Sequence, residues 1–208
     1  MAAVLCSFVV VEAKADVFFV EDQNDRFTLT FPDTWKKTEN QKPDDKLTVY
    51  AQGEYNFTSC RVRVREDRRF VIFSNEYADE IQRTQVSQDF WNNYLGEYDN
   101  VAIEIFKDDA GLGQGFASMV EASFDTAEGS LVHKRGIMFA SIYHDQLYVV
   151  DCSSEESVYD EMRPTFLGII KSVDFTKVIN GRTEGHYRNF TDEEVEIEGP
   201  NELDKYKL

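Results

Sequence analysis

From Val101 to Cys152 apolar and polar residues alternate with a period close to two, interrupted by small clusters rich in Asp, Gly and Ala. Successive side chains on a strand point to opposite faces, so the pattern predicts strands at Val101–Lys107, Gly115–Asp125, Ser130–Tyr143 and Gln146–Cys152. The breaks, Asp108-Asp109-Ala110-Gly111, Ala127-Glu128-Gly129 and His144-Asp145, hold residues that tolerate turn dihedrals. Connections this short join antiparallel neighbours. The stretch therefore reads as a β-meander with Phe116, Val120, Ala122 and Phe124 on one apolar face.

That face needs a cover, and the flanks supply one. Before the meander, Val17–Val20, Arg26–Phe31, Leu47–Gln52 and Cys60–Asp67 have strand character. Pro32 ends the second of these because it cannot donate to a ladder. Trp35 is then expected to fold its ring back beneath the sheet, against the C-terminal helix. Lys36–Lys46 is polar, contains Pro43, and reads as a loop. Ser74–Glu97 carries Tyr77, Ile81, Trp91, Leu95 and Tyr98 at helical spacing, with Thr84 and Gln88 interrupting the stripe. This is either one helix or a short helix followed by a firmer one from Ser87 to Gly96, with Ser87 as its N-cap. After Cys152, Ser153 and Glu156 have capping-box spacing. They precede a helical stripe of Val158, Met162, Phe166, Ile169 or Ile170, and Val173, in which Pro164 should introduce a kink. Strands grouped together, with helices to cover them, predict an α+β sandwich built on an antiparallel sheet.

The run Phe27-Thr-Leu29-Thr-Phe31-Pro32-Asp-Thr-Trp35-Lys36 resembles the opening of PsbP-like proteins. That superfamily includes the extrinsic photosystem subunit, the DcrB-like periplasmic proteins and the Ran guanine-nucleotide release factor. The closing strand, the helix over Ser153–Val173 and the end Ile169-Ile-Lys-Ser172-Val-Asp-Phe175 are similar to the other end of that fold. The resemblance spans roughly Val17–Phe175 in element order and implies an α/β/α sandwich. It also implies a non-enzymatic accessory or binding role. It transfers no functional residues, because both motifs are structural.

Charge narrows the partners. The 208 residues include 39 acids and 22 Lys or Arg, a formal net charge of −17. Non-specific nucleic-acid or anionic-membrane binding needs a positive footprint, so neither is expected. Part of the acidity is local: 177–208 reads as an acidic, disordered tail. At the other end, Met1–Val11 is almost wholly apolar and Ala13-Lys14-Ala15 has the form of a leader-peptidase site. Residues 1–15 are therefore read as a cleaved signal peptide whose positive start would lie upstream of Met1; the alternative is a buried N-terminal strand or helix. The run is too short to span a bilayer. This predicts a periplasmic or secreted chain with a folded domain over residues 16–176. It would retain Cys60 and Cys152, either bridged or as two buried thiols.

Candidate chemistry is sparse. Gly111-Leu-Gly113-Gln-Gly115 lacks the following helix that a phosphate loop requires, and reads as a hairpin turn. His133, His144 and His186 have no ligand spacing. The acid pairs Asp44-Asp45, Asp108-Asp109 and Glu155-Glu156 fit turns or a helix start. No catalytic residue, cofactor or metal is expected. The exception to this plainness is Arg61, Arg63, Arg65, Arg68 and Arg69, five arginines within nine residues. The first three share one face of a strand. They either pair with acids across the sheet or form a face for an anion or an acidic partner. The sequence thus points to an exported accessory or binding protein of the cell envelope that acts through protein contacts. A small-ligand carrier with a cleft between sheet and helices is the alternative, and an unrecognised hydrolase the third reading. The export expectation has a direct check: N-terminal sequencing of native material should begin at Asp16, and recovery of Met1 from the cytosol refutes it.

Overall fold

A computed structural model describes residues 16–40, 42–53, 57–72, 77–113, 115–127 and 131–176. The expected leader, the acidic tail, His186, Glu128 and Gly129 of the expected second turn, and residues 41, 54–56, 73–76, 114 and 130 lie outside these residues. The described strands form two sheets. The larger has seven strands in the order β3 (Trp35–Thr38), β4 (Asp45–Ala51), β5 (Ser59–Glu66), β9 (Gln146–Glu155), β8 (Leu131–Tyr143), β7 (Gly115–Ala127) and β6 (Asp99–Leu112). The smaller has β1 (Val17–Asp22), β2 (Phe27–Pro32) and β10 (Asp174–Phe175), with β2 in the middle. Every neighbouring pair is antiparallel.

The large sheet is covered on both faces, so the expected α+β sandwich is what the chain forms. One face carries Val62, Val64, Ile137, Phe139, Tyr148 and Val150. It packs against the small sheet and against α4 (Tyr159–Lys171), whose Met162, Phe166, Ile169 and Ile170 are buried. The other face carries Val120, Ala122, Phe124, Met138, Ala140 and Val149. It is capped by α2 (Ala78–Gln85) and α3 (Gln88–Leu95), whose Trp91 and Leu95 fill the layer. A further short helix, α1 (Arg69–Ile72), follows β5.

Several local expectations need correction. Asp108-Asp109-Ala110-Gly111 is not a turn; β6 runs through it to Leu112, and the extra residues are absorbed as a register shift between Lys107 and Ala110. An edge strand can bulge in this way because its outer side faces water. The reversal comes at Gly113, where φ is +57° and a Cβ would stand 2.7 Å from the Phe175 ring. Lys36–Lys46 is not all loop: Lys36, Lys37 and Thr38 continue β3, polar because they lie on the sheet edge. Ser153 caps no helix, because β9 keeps ladder partners on both sides as far as Ser153 and on one side to Glu155. A 3-10 turn at Glu156–Val158 then leads into α4. Ser87 sits at the N-cap of α3 but makes no side-chain cap bond.

One buried polar residue fastens a helix to the sheet. The pairing of β7 with β8 stops at Ser118 opposite Ala140, which frees backbone groups on β8. Gln82 of α2 fills that gap, donating to the Ala140 carbonyl at 3.1 Å and accepting from the Ile142 amide at 2.9 Å. Buried backbone groups need such partners. Beside it, Trp91 Nε1 donates to Ser118 Oγ at 2.9 Å.

Trp35 is buried at the start of β3, its ring edge-on to Phe166 of α4 with centroids 6.3 Å apart. Its indole fills the space between the large sheet and α4. Trp35→Ala should therefore destabilise the domain by about 3–5 kcal/mol, the usual range for deleting a large buried aromatic. Denaturant melts measure this, and an unchanged midpoint contradicts the packing role.

Candidate functional site

The arginine row lies against α3 rather than open to solvent along its whole length. Alternate residues on a strand are about 6.7 Å apart and residues four apart on a helix about 6 Å, so the two repeats can run side by side. They do so here. Arg65 lies over Phe90 at 5.9 Å, Arg63 over Tyr94 at 5.2 Å, and Arg61 donates to the Tyr98 hydroxyl at 2.7 Å. Phe90 and Tyr94 are one turn apart on α3 and Tyr98 lies just past its end, so each arginine meets an aromatic residue of its own.

Acids complete the buried part. Asp151 of β9 stands directly opposite Arg61 in the ladder and is 2% exposed. It accepts from Arg61 Nη2, and from the Tyr94 hydroxyl at 3.0 Å. Arg63 Nε donates to Asp45 at 2.8 Å, and its Nη2 is 3.7 Å from Glu97. Burial alone would raise the Asp151 carboxyl. The guanidinium groups of Arg61 and Arg63 and the Tyr94 hydroxyl outweigh it and hold the carboxyl below its ordinary range. Burial, with the Asp151 charge, pushes the Tyr94 and Tyr98 hydroxyls up. These groups hold charges in place and have no proton to exchange near neutral pH.

The remaining arginines divide. Arg69 is clamped by Asp67, at 2.7 Å from Nε, and by Gln85. Arg65 and Arg68 are exposed, and Arg68 lies 3.7 Å from the exposed Glu66. The five arginines that stand together in sequence are thus separated into Arg61 and Arg63, held in the sheet-to-helix layer, a clamped Arg69 and two surface cations. On the opposite face of the same two strands, Cys60 lies directly opposite Cys152, and their sulfurs form a disulfide with Sγ–Sγ 2.06 Å.

Two polar clusters escaped the sequence because their members are far apart in the chain. Glu121 of β7 is 2% exposed and accepts from Arg163 of α4 at 2.7 Å, while Arg135 of β8 reaches Glu104 at 2.6 Å and Glu121 at 3.5 Å. At the β8–β9 turn, Asp145 pairs with Arg26 and lies 3.0 Å from His144. His133 is paired with Asp125 near the end of the β7–β8 hairpin. Each cluster ties separate elements together. Among the described residues no group of three His, Cys, Asp or Glu could hold a metal, and no helix is long and apolar enough to cross a membrane.

What is left open is an edge. β3 is four residues long with Lys36 and Lys37 exposed, β6 shifts register at three places, and β10 has two residues. Lysines, bulges and brevity are the usual means of blunting a sheet edge. β1 has none of them. It pairs with β2 in unbroken register and has no neighbour on its outer side among the described residues. There it exposes Val17 (47%), Phe18 (52%) and Phe19 (64%) in succession. The sequence signal is the apolar run Val17–Val20, a pattern that specifies a strand but not its place at a sheet edge.

The fold matches solved structures. The chain is similar to cyanobacterial PsbP (CyanoP) from Synechocystis sp. PCC 6803, at 13% identity and a TM-score of 0.52, covering 82% of this chain and 98% of that one. It is also similar to LpqN of Mycobacterium tuberculosis, a protein involved in cell envelope biogenesis, at 10% identity and a TM-score of 0.50, covering 78% and 91%. The Saccharomyces cerevisiae Ran-binding protein Mog1p aligns at 11% identity and a TM-score of 0.45, covering 78% and 97%. No family model and no curated protein matches. At these identities the likeness shows the fold, which is PsbP-like.

The buried pair yields a pH test. A carboxyl with a depressed folded-state pKa contributes stability that is present above the unfolded value of about 4 and lost as pH falls through the folded value. Stability from urea melts should therefore decline below about pH 4. Asp151→Asn should cost about 3–5 kcal/mol at neutral pH, because Arg61 stays buried without its counter-charge. It should also flatten the acid decline relative to wild type; an identical pH profile contradicts this account.

Proposed function

We propose that this chain is a non-enzymatic accessory or binding protein of the cell envelope that acts through protein contacts, and that β1 is its contact edge. The observation that carries the reading is the three successive apolar side chains exposed on an unblunted edge strand. A soluble domain rarely leaves such an edge bare unless something covers it. The PsbP-like fold supports the reading only as context, since the fold hosts more than one role. The arginine row supports a smaller, secondary contribution: Arg65 and Arg68 remain at the surface and could meet an acidic partner, whereas Arg61 and Arg63 are taken up in the sheet-to-helix layer.

The test is in-cell cross-linking from residues flanking β1, with wild type and Phe19→Ser compared. Phe19 is exposed, so the substitution should leave the melting temperature within about 1–2 °C, in keeping with a surface change. Cross-linked protein adducts should fall several-fold in the variant. Adducts that persist undiminished overturn β1 as the contact edge.

A further inference from the structure

We infer that the outer edge of β1 takes up an extended segment of a partner protein as an additional antiparallel strand, and that this segment has an apolar centre flanked by Lys or Arg. The inference rests on the protein-contact reading above and names the chemistry of the partner. The backbone supplies the first part. The Asp33 amide donates to the Asp16 carbonyl at 3.1 Å, so Asp16 faces β2 with its backbone groups. Facing alternates along an antiparallel strand. Residues 18, 20 and 22 therefore bond inward, and Val17, Phe19 and Glu21 direct their N–H and C=O groups outward. Pro32 agrees with this phase. It stands opposite Val17, at a position where β2 needs no N–H for β1, and β10 reaches only Phe27 and Thr28 on the other side. The free edge thus offers a regular set of donors and acceptors, with main-chain bonding for affinity and alternate side chains for selectivity.

Charge decides between occupants. The apolar run is bracketed by exposed Asp16 at one end and exposed Glu21 at the other, with half-buried Asp22, whose Oδ1 accepts from the Asn24 and Asp25 amides, just beyond it. A second copy would bring two chains of net charge −17 together. Pairing centred on Phe19 would also set Asp16 of one copy against Asp22 of the other, and like charges directly opposite are unfavourable. A segment with basic flanks meets the same acids favourably, and steering by the net charge speeds its encounter. The apolar centre then covers Val17 and Phe19 on one face and Phe18 on the other.

The probe is a labelled synthetic peptide, Lys-Lys-Val-Thr-Val-Thr-Val-Lys-Lys, titrated into the full chain and followed by fluorescence anisotropy. Its companions are the same peptide with Glu for Lys, and one N-methylated at alternate residues to remove strand donors. The Lys peptide should bind, the Glu peptide roughly tenfold or more weaker given several surface charge contacts, and the N-methylated peptide not measurably. Phe19→Pro removes an outward N–H without touching the β1–β2 ladder and should abolish binding while the melt is retained. Val17→Pro serves in its place should Phe19→Pro fail to fold. Equal affinity for Lys and Glu peptides, or binding retained in the proline variant, overturns the inference. So does a concentration-dependent dimer in sedimentation that Phe19→Pro abolishes, since the occupant is then a second copy. If no peptide binds while Phe19→Ser still removes the cross-links in cells, the inference fails and the protein-contact reading stands.

Discussion

The pairing of β5 with β9 is the constraint on which the rest of the structure depends. β9 ends the meander and β5 ends the N-terminal strands, so this ladder joins two separately patterned halves of the chain into one sheet. Its two faces are specified by different means. On one face Cys60 faces Cys152, with Val62 opposite Val150 one step along; on the other, Arg61 faces Asp151. A slip of one residue would turn an arginine into the apolar layer and a cysteine out beneath α3. Removing the Asp151 charge from water is costly, and only Arg61, Arg63 and Tyr94, arriving together, offset that cost. The buried pair therefore does more to select the register than to add net stability.

That arrangement sets what the surface can do. Arg61 and Arg63 are used to seat α3 and the residues just after it, through Tyr94 and Tyr98. Glu121, Arg135 and Arg163 similarly serve to hold α4 to β7 and β8. With these charges committed to internal contacts, the conspicuous unsatisfied feature of the described residues is apolar and lies in the small sheet.

Much of the architecture was legible because it depends on local pattern. The meander, the split of the first helical region near Ser87 and the burial of Trp35 all follow from periodicity or from single breaker residues. The errors share a cause. Asp108-Asp109 looked like a turn, and Lys36 and Lys37 like a loop, because polar residues on an edge strand resemble connections when the edge cannot be seen. The arginine row shows the same blindness in three dimensions. Alternation placed Arg61, Arg63 and Arg65 on one face, but nothing local says that α3 returns with aromatics at a matching spacing. Gln82 was missed because its value depends on where β7 parts from β8, which is a property of the sheet and not of the helix that carries the residue. Edge position, the property that makes β1 a candidate site, is also a fact of strand order.

The small sheet is well built for presenting such an edge. β1 is tied to β2 along its whole length, and β2 buries Phe27, Leu29 and Phe31 in the core. Ser172, at the end of α4, grips the middle of β2 by accepting from the Thr30 amide at 2.8 Å, close to its carbonyl at 3.1 Å. Phe31 reaches outward in turn, its ring 5.6 Å from that of Phe18. The inner side of β1 is thus held by ladder bonds and by packing that extends to α4, while its outer backbone groups have already taken strand geometry. A segment adding there meets a surface already ordered, so the entropy of association falls mainly on the incoming chain. The same rigidity would let a short segment bind without disturbing the β5–β9 ladder, because the two sheets share a core but no hydrogen-bonded strand.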